Sequence, residues 1–113
     1  IMMDKHKLIQ LCLNFDGAIE TYPFDEDNVV IRHKANNKWF ALIFYLNNKL
    51  CVNLKSEPLD SVFLRELHDE IKPAWHMNKT HWIMVEVDTI DEELLCNLIK
   101  KSYELTISKK RKK

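Results

Sequence analysis

Residues 29–55, VVIRHKANNKWFALIFYLNNKLCVNLK, decide the fold class because two asparagine pairs separate three apolar segments. Val29 to His33 alternates in hydrophobicity as a half-buried strand does, and Asn36-Asn37 and Asn47-Asn48 supply turn residues that tolerate a positive φ. In the middle segment, Lys38 to Leu46, apolar residues occupy both the odd-numbered and the even-numbered positions. Both faces of the strand are therefore apolar, which predicts a central strand covered on both faces. The stretch therefore predicts an antiparallel meander of three strands.

A helical pattern precedes the meander. Its apolar residues follow the i, i+3, i+4, i+7 spacing of a helix with one buried stripe: Leu8, Leu11, Cys12 and Phe15. Asp16-Gly17 predicts the end of this helix, because glycine tolerates the left-handed backbone at a helix terminus. The first element is therefore predicted to be a helix.

Two further helical patterns follow the meander. Glu57-Pro58 opens the first of them, since proline suits an initial helical turn, and its apolar residues repeat every four positions down one side: Leu59, Phe63, Leu67 and Ile71. A turn then leads into a predicted strand from Trp82 to Val87. Thr89-x-x-Glu92 has the form of a capping box and predicts a closing helix that runs to about Ile107.

The predicted class is an α+β domain in which helices flank an antiparallel sheet, in the order α-β-β-β-α-(β)-β-α. No linker or repeat interrupts residues 1–107, so they are predicted to form a single domain. Residues 108–113, Ser-Lys-Lys-Arg-Lys-Lys, are a block of like charge and are predicted to be a disordered basic tail. Two roles stay open for this tail, attraction to a polyanion and simple solubility.

Composition places the chain among ordinary globular proteins. With 46% hydrophobic and 30% charged residues it is far from the depleted composition of disordered chains. Its apolar runs break within about ten residues, short of the roughly 20 that cross a bilayer, and no signal-peptide pattern follows the N-terminus. We predict a cytoplasmic protein without a membrane partner. Cys12, Cys51 and Cys96 lie far apart in apolar patterns, which predicts reduced core residues.

The charge is unevenly distributed along the chain. The formal net charge is 0, but five of the 17 basic residues lie in 109–113. Residues 1–107 therefore hold 12 basic against 17 acidic side chains, a net of −5. A strong, non-specific nucleic-acid binder does not normally have such an acidic body.

The segment His76-Met77-Asn78-Lys79-Thr80-His81-Trp82 combines imidazole, amide, amine and indole groups in seven residues. In one interpretation it is a contact loop, in which Lys79 and Asn78 meet phosphate or base and Trp82 or Trp75 stacks on a base. In the other, Asn78 and the histidines bond to the backbone of the turn while the tryptophans fill the core. No cysteine or acid stands at a recognised ligand spacing from His76 and His81, so no metal site is predicted.

Cations outside this segment define the rest of the candidate surface. Lys38 and Lys55 fall at the ends of neighbouring predicted strands and are expected to share one edge of the sheet. Together with Lys79 they would make a patch able to grip a phosphate backbone. The alternative is a set of solvated strand ends, with Arg65 paired to Asp69 four residues later.

Several short motifs occur in a fixed order along the chain. They are Tyr22-Pro23-Phe24, Lys38-Trp39-Phe40-Ala41, Val52-Asn53-Leu54-Lys55, Leu64-Arg65-Glu66, the run from Ile71 to Lys79 with His81-Trp82, and Ser102-Tyr103. In order and spacing these motifs resemble the MmcQ/YjbR family from Cys12 to Tyr103. The resemblance implies an α+β fold similar to that of the frataxin homologue CyaY, described as a double-wing arrangement, and DNA binding has been presumed from that shape. It implies no established reaction, substrate or cofactor.

The sequence therefore predicts a DNA-binding module without catalytic activity, metal or cofactor. Its candidate nucleic-acid-binding residues are Lys38, Lys55, His76, Asn78, Lys79, His81 and Trp82. The alternative is a protein-interaction or small-ligand-binding module that uses the same turn and has an apolar pocket near Trp75 or Trp82. An enzyme with His76 or His81 as general base is a third class, but the sequence has no P-loop, no G-x-S-x-G and only one glycine.

Overall fold

The computed structural model describes residues 3–107 and contains six strands and three helices within them. In chain order the elements are α1 (Lys5–Leu13), β1 (Ala18–Thr21), β2 (Val29–His33), β3 (Trp39–Leu46), β4 (Lys49–Lys55), α2 (Pro58–Leu67), β5 (Ile71–Pro73), β6 (Trp82–Glu86) and α3 (Glu92–Thr106). The predicted α+β class is confirmed. The predicted basic tail, 108–113, lies outside the described residues.

The six strands form one antiparallel sheet in the order β1-β2-β3-β4-β6-β5. The predicted meander supplies its centre, and β3 is covered on both faces as expected. Strand β1, a four-residue edge strand that pairs with β2, was not predicted from the sequence. The strand that was given in parentheses after the second helix of the predicted order corresponds to β5, which pairs with β6.

Turn and cap chemistry explains most of the element boundaries. Asn37, Asn47 and Asn48 have positive φ values of 61°, 52° and 64°, which confirms the predicted turns. Gly17 has a φ of 72°, although α1 already ends at Leu13.

The predicted capping box at Thr89 is wrong. The N-cap of α3 is Asp91, whose carboxylate accepts a hydrogen bond of 3.0 Å from the Leu94 amide. Asp91 directly precedes the helix and therefore reaches an amide of the first turn, whereas Thr89 lies two residues further out.

Each face of the sheet has its own apolar cluster. The larger one lies beneath the helices and includes Leu8 and Cys12 of α1, Phe40 of β3, and Leu95 and Ile99 of α3. The smaller one, on the opposite face, consists of Val30, Leu42, Phe44, Cys51 and Met84, and Trp39, Trp75 and Met77 pack against it. No helix covers this second face within residues 3–107, so the chain segment that contains Trp75 and Met77 closes it instead.

None of the helices in residues 3–107 combines the length and the hydrophobicity that a bilayer-spanning segment requires. All three cysteines are free thiols, with Cys12 and Cys51 buried and Cys96 partly buried. Burial raises the pKa of Cys12 to about 12 and that of Cys51 to about 11. These thiols are therefore protonated, inert members of the core.

Candidate functional site

The structure brings Lys38, Lys55 and Trp82 to one cleft, at the end of the sheet where β3 begins and β4 ends. This basic cleft has a volume of about 320 Å³ and is lined by Asn37, Lys38, Trp39, Lys55, Met77, Trp82, Leu105 and Thr106. Lys38 and Lys55 thus lie at the same edge of the sheet, as expected from the sequence. No carboxylate belongs to this lining among the described residues.

Lys55 and Trp82 form the centre of the basic cleft. They are directly opposite each other in the β4–β6 pair, and the Lys55 Nζ lies 5.4 Å from the centroid of the Trp82 ring. An ammonium group over an indole face is held there by the ring quadrupole. The pair therefore presents a cation and a flat, partly exposed ring side by side.

Backbone hydrogen bonds fix the position of both cleft lysines. The Ser102 Oγ in α3 accepts a 2.8 Å hydrogen bond from the Lys55 amide and donates one of 2.5 Å to the Phe40 carbonyl. The Lys38 amide donates to the Asn36 Oδ1 at 2.9 Å, and the His33 amide donates to the Lys38 carbonyl at 2.9 Å. The lysine side chains thus extend from an anchored backbone.

The end of α3 joins the opposite wall of the basic cleft. The Thr106 Oγ1 lies 2.7 Å from the Nε2 of buried His33, and the Asn36 Nδ2 donates to the Thr106 carbonyl at 2.9 Å. Burial is the main cause that lowers the pKa of His33. The described residues therefore end beside this cleft, at Ile107.

The segment from His76 to His81 is a structured turn, which agrees with the turn interpretation for its asparagine. The Asn78 Oδ1 accepts hydrogen bonds from the amides of Thr80, at 2.8 Å, and His81, at 3.1 Å. His76 has a positive φ of 57° and is exposed. Both histidine side chains lie outside the lining of the basic cleft.

Lys79 does not join Lys38 and Lys55 in the cleft lining. Its carbonyl accepts a 3.1 Å hydrogen bond from the Arg65 guanidinium, while its side chain is exposed. Arg65 thus links α2 to this turn. Among the described residues it makes no ion pair with Asp69, so that predicted pairing is wrong: the guanidinium is directed at the turn instead.

A second concavity, the aromatic pocket, lies beside the basic cleft and shares Trp39 and Met77 with it. It has a volume of about 270 Å³ and is lined by Phe24, Asn28, Trp39, Leu42, Trp75, His76 and Met77. Trp75 stacks on Phe44 with ring centroids 4.8 Å apart, and its carbonyl accepts a 2.8 Å hydrogen bond from the Asn53 amide group. Trp75 is therefore held against the sheet and forms a fixed wall of the pocket.

Five residues of the basic cleft were not predicted from the sequence: Asn37, Trp39, Met77, Leu105 and Thr106. Trp39 had a usable signal, because it directly follows Lys38 at the start of a strand. Leu105 and Thr106 had none, since only the packing of α3 brings them to the sheet. No group of three or more His, Cys, Asp or Glu side chains within residues 3–107 is placed to hold a metal ion.

Comparisons with known proteins identify the relatives of this chain. A sequence model of the YjbR family matches residues 13–105. YbdF of Escherichia coli O157:H7 is 36% identical over 110 residues, which cover 93% of this chain and 88% of YbdF. YyaQ of Bacillus subtilis is 35% identical over 103 residues, which cover 80% of this chain and 86% of YyaQ.

Solved structures share the fold as well. Protein DR2400 of Deinococcus radiodurans superposes with a TM-score of 0.82 at 32% identity, covering 92% of this chain and 78% of that one. A protein from Pseudomonas syringae superposes with a TM-score of 0.86 at 28% identity, covering 93% of this chain and all of that one. The names of these four relatives state no reaction, ligand or partner.

Proposed function

The chain belongs to the YjbR family, and from that premise we propose that it is a DNA-binding module whose contact surface is the basic cleft. The observation that supports the proposal most is the meeting of Lys38, Lys55 and Trp82 in one carboxylate-free lining. Two ammonium groups suit phosphate oxygens, and an indole face beside them suits a base. The double-wing shape implied by the family resemblance is consistent with this role.

In this proposal the positive electrostatic potential within the basic cleft matters more for DNA binding than the net negative charge of the domain. Residues 1–107 have a net charge of −5, yet the basic cleft is lined by two cations and otherwise by neutral side chains. Phosphate binding depends on the field within the cleft, where low-dielectric walls concentrate it. An acidic remainder would limit non-specific binding elsewhere on the surface.

The basic tail adds positive charge near the cleft because it follows Thr106 closely in the chain. Thr106 lines the cleft, and five basic residues occupy positions 109–113. A chain spans at most about 3.5 Å per residue, so these charges stay within roughly 25 Å of Thr106. In this proposal they strengthen attraction to the phosphate backbone without selecting a sequence.

Four residues of the turn have secondary roles in the proposal. The side chains exposed beside the site are Lys79, His76 and His81, and they would contact the DNA strand outside the cleft. Asn78 shapes the turn through its Oδ1. The proposal involves no catalytic step and places the protein in the cytoplasm, where free thiols remain reduced.

The aromatic pocket supports a second candidate, a module that binds a small apolar ligand or a protein side chain. Its lining is mostly aromatic and apolar, and its volume of about 270 Å³ is just below the usual range for ligand sites. Trp75 is held by Phe44 and Asn53, so this pocket is formed before any ligand arrives. A ligand here would bind with little dependence on salt.

Fluorescence anisotropy with a labelled random-sequence duplex distinguishes the two candidates. We expect binding that weakens steeply between about 50 and 200 mM salt, because phosphate contacts release counterions. Lys55→Ala should lower the affinity and reduce the slope of log K against log salt by about 0.9, the value for one lost phosphate contact. A chain that ends at Ile107 separates the contribution of the tail from that of the cleft.

The matched control is Lys49→Ala. Lys49 is at the opposite end of β4, and its side chain is 57% exposed beside Glu86, so the substitution removes the same charge from the same strand. It should leave binding nearly unchanged. Binding that is lost with the tail, or that falls equally with Lys49→Ala and Lys55→Ala, would reject the basic cleft as the contact surface.

A further inference from the structure

Helix α2 has an apolar face that faces solvent. Leu59, Val62, Phe63 and Leu67 keep 72%, 43%, 59% and 75% of their surface exposed within the described residues 3–107. The opposite side of the helix holds it to the domain through buried Ser61, whose Oγ donates to the Thr80 carbonyl at 3.4 Å. Such concentrations of exposed apolar side chains on one element mark interaction surfaces.

The spacing of this face is symmetric about its central residue. Leu59 and Leu67 stand four residues before and four residues after Phe63, so all three occupy one side of α2. If a second α2 packs antiparallel on the first, with a two-fold axis at Phe63, each Leu59 meets the Leu67 of the other copy and the two Phe63 rings meet each other. A patch that complements itself in this way is what an isologous interface requires.

We propose that α2 is the interface of a two-fold homodimer, in which the exposed apolar faces of two copies pack antiparallel. This inference does not rest on the proposed DNA-binding role, although Lys55 lines both the basic cleft and the groove beside α2. Its occupant is a second copy, because Leu59 and Leu67 are placed symmetrically about Phe63 and the face therefore complements itself.

The exposed area suits a reversible dimer. A large side chain exposes on the order of 200 Å², so these four present roughly 500 Å² per copy and the pair buries roughly 1,000 Å². This value is close to the lower bound for a specific interface. We therefore expect a dissociation constant in the range of about 1 to 100 µM, with monomers at low protein concentration.

The edge of this face that borders α3 is compatible with a second copy. A groove of about 250 Å³ between α2 and α3 has an apolar floor that includes Leu64 and Leu98, and its rim holds Asp60, Lys55 and Lys101. Since the rim contains both signs of charge, two copies meet there without uniform repulsion. The groove extends the apolar contact beyond α2 itself.

Sedimentation velocity of the full chain across about 1 µM to 1 mM tests the proposal. We expect a concentration-dependent dimer, and Phe63→Asp should weaken it by at least 100-fold. Leu67→Asp is a second variant at a still more exposed position, and Tyr45→Asp, 55% exposed on β3, is the matched control that should dimerise normally. Circular dichroism verifies that each variant is folded.

Cysteine cross-linking tests the geometry of the dimer. In a Cys96→Ser background, Phe63→Cys should form a disulfide-linked dimer on mild oxidation, because the two-fold axis places position 63 against itself. Leu59→Cys alone should not cross-link, whereas Leu59→Cys together with Leu67→Cys should. A monomer at every concentration, or a dimer that Phe63→Asp does not weaken, would overturn the proposal.

Discussion

Replacing Ser102 by alanine removes one hydroxyl that satisfies two backbone groups of the sheet. Ser102 is fully buried, and its Oγ joins the Lys55 amide to the Phe40 carbonyl at distances of 2.8 and 2.5 Å. Alanine at this position leaves one donor and one acceptor without this partner. Leaving a buried polar group unsatisfied costs about 1 to 3 kcal/mol, so we expect a loss of about 2 to 4 kcal/mol in the free energy of unfolding.

Thermal and urea unfolding followed by circular dichroism measure this loss. For a domain of this size each kcal/mol lowers Tm by roughly 4 °C, so a decrease of roughly 8 to 16 °C is expected. Ser61→Ala is the matched control: Ser61 is also buried, but its Oγ makes longer contacts of 3.1 and 3.4 Å to two carbonyls. If Ser102→Ala costs no more than Ser61→Ala, the proposed role of Ser102 in holding Lys55 is refuted.

Three further predictions concern groups whose environment is defined by the fold. Burial lowers the pKa of His33, so its contribution to stability should be complete above the unfolded value of about 6.5 and should decline as the pH falls below it. Urea titrations at pH 7.5 and 5.5 should show this decline, and His33→Gln should reduce it. Asn78→Ala removes two backbone contacts of an exposed turn and should cost about 1 kcal/mol while accelerating amide exchange at His81; unchanged exchange there would contradict the turn assignment. Cys12 and Cys51, with pKa values raised to about 12 and about 11, should react with a thiol reagent at pH 8 only after urea unfolding. Fast labelling of the folded chain at either position would show that these thiols are not buried.

The centre of the sheet was predictable because its signals are local. Asparagine pairs fixed both turns of the meander, and apolar residues on both parities identified β3 as a central strand. Edge strand β1 was not predicted because its four residues, Ala-Ile-Glu-Thr, are too few to show the hydrophobic alternation of a strand. Its strand conformation depends on pairing with β2, which is a tertiary contact.

Three of the eight residues that line the basic cleft, Lys38, Lys55 and Trp82, were predictable from local signals as well. Lys38 and Lys55 end neighbouring antiparallel strands, so strand order alone brings them together. The position of Lys79 depends on the path of a turn held by Asn78 and Arg65, and no sequence period encodes that path. Similarly, the four-residue spacing of α2 predicted a helix but not that its apolar face would face solvent.

An NMR titration of the isotope-labelled chain with a short DNA duplex tests the central claim most directly, because it locates contacts residue by residue. We expect salt-sensitive shift changes at the backbone amides of Lys38, Trp39 and Lys55 and at the indole N–H of Trp82, with little change at Lys49. Shift changes confined to the aromatic pocket or to the basic tail, or none at low salt, would contradict DNA binding at the basic cleft.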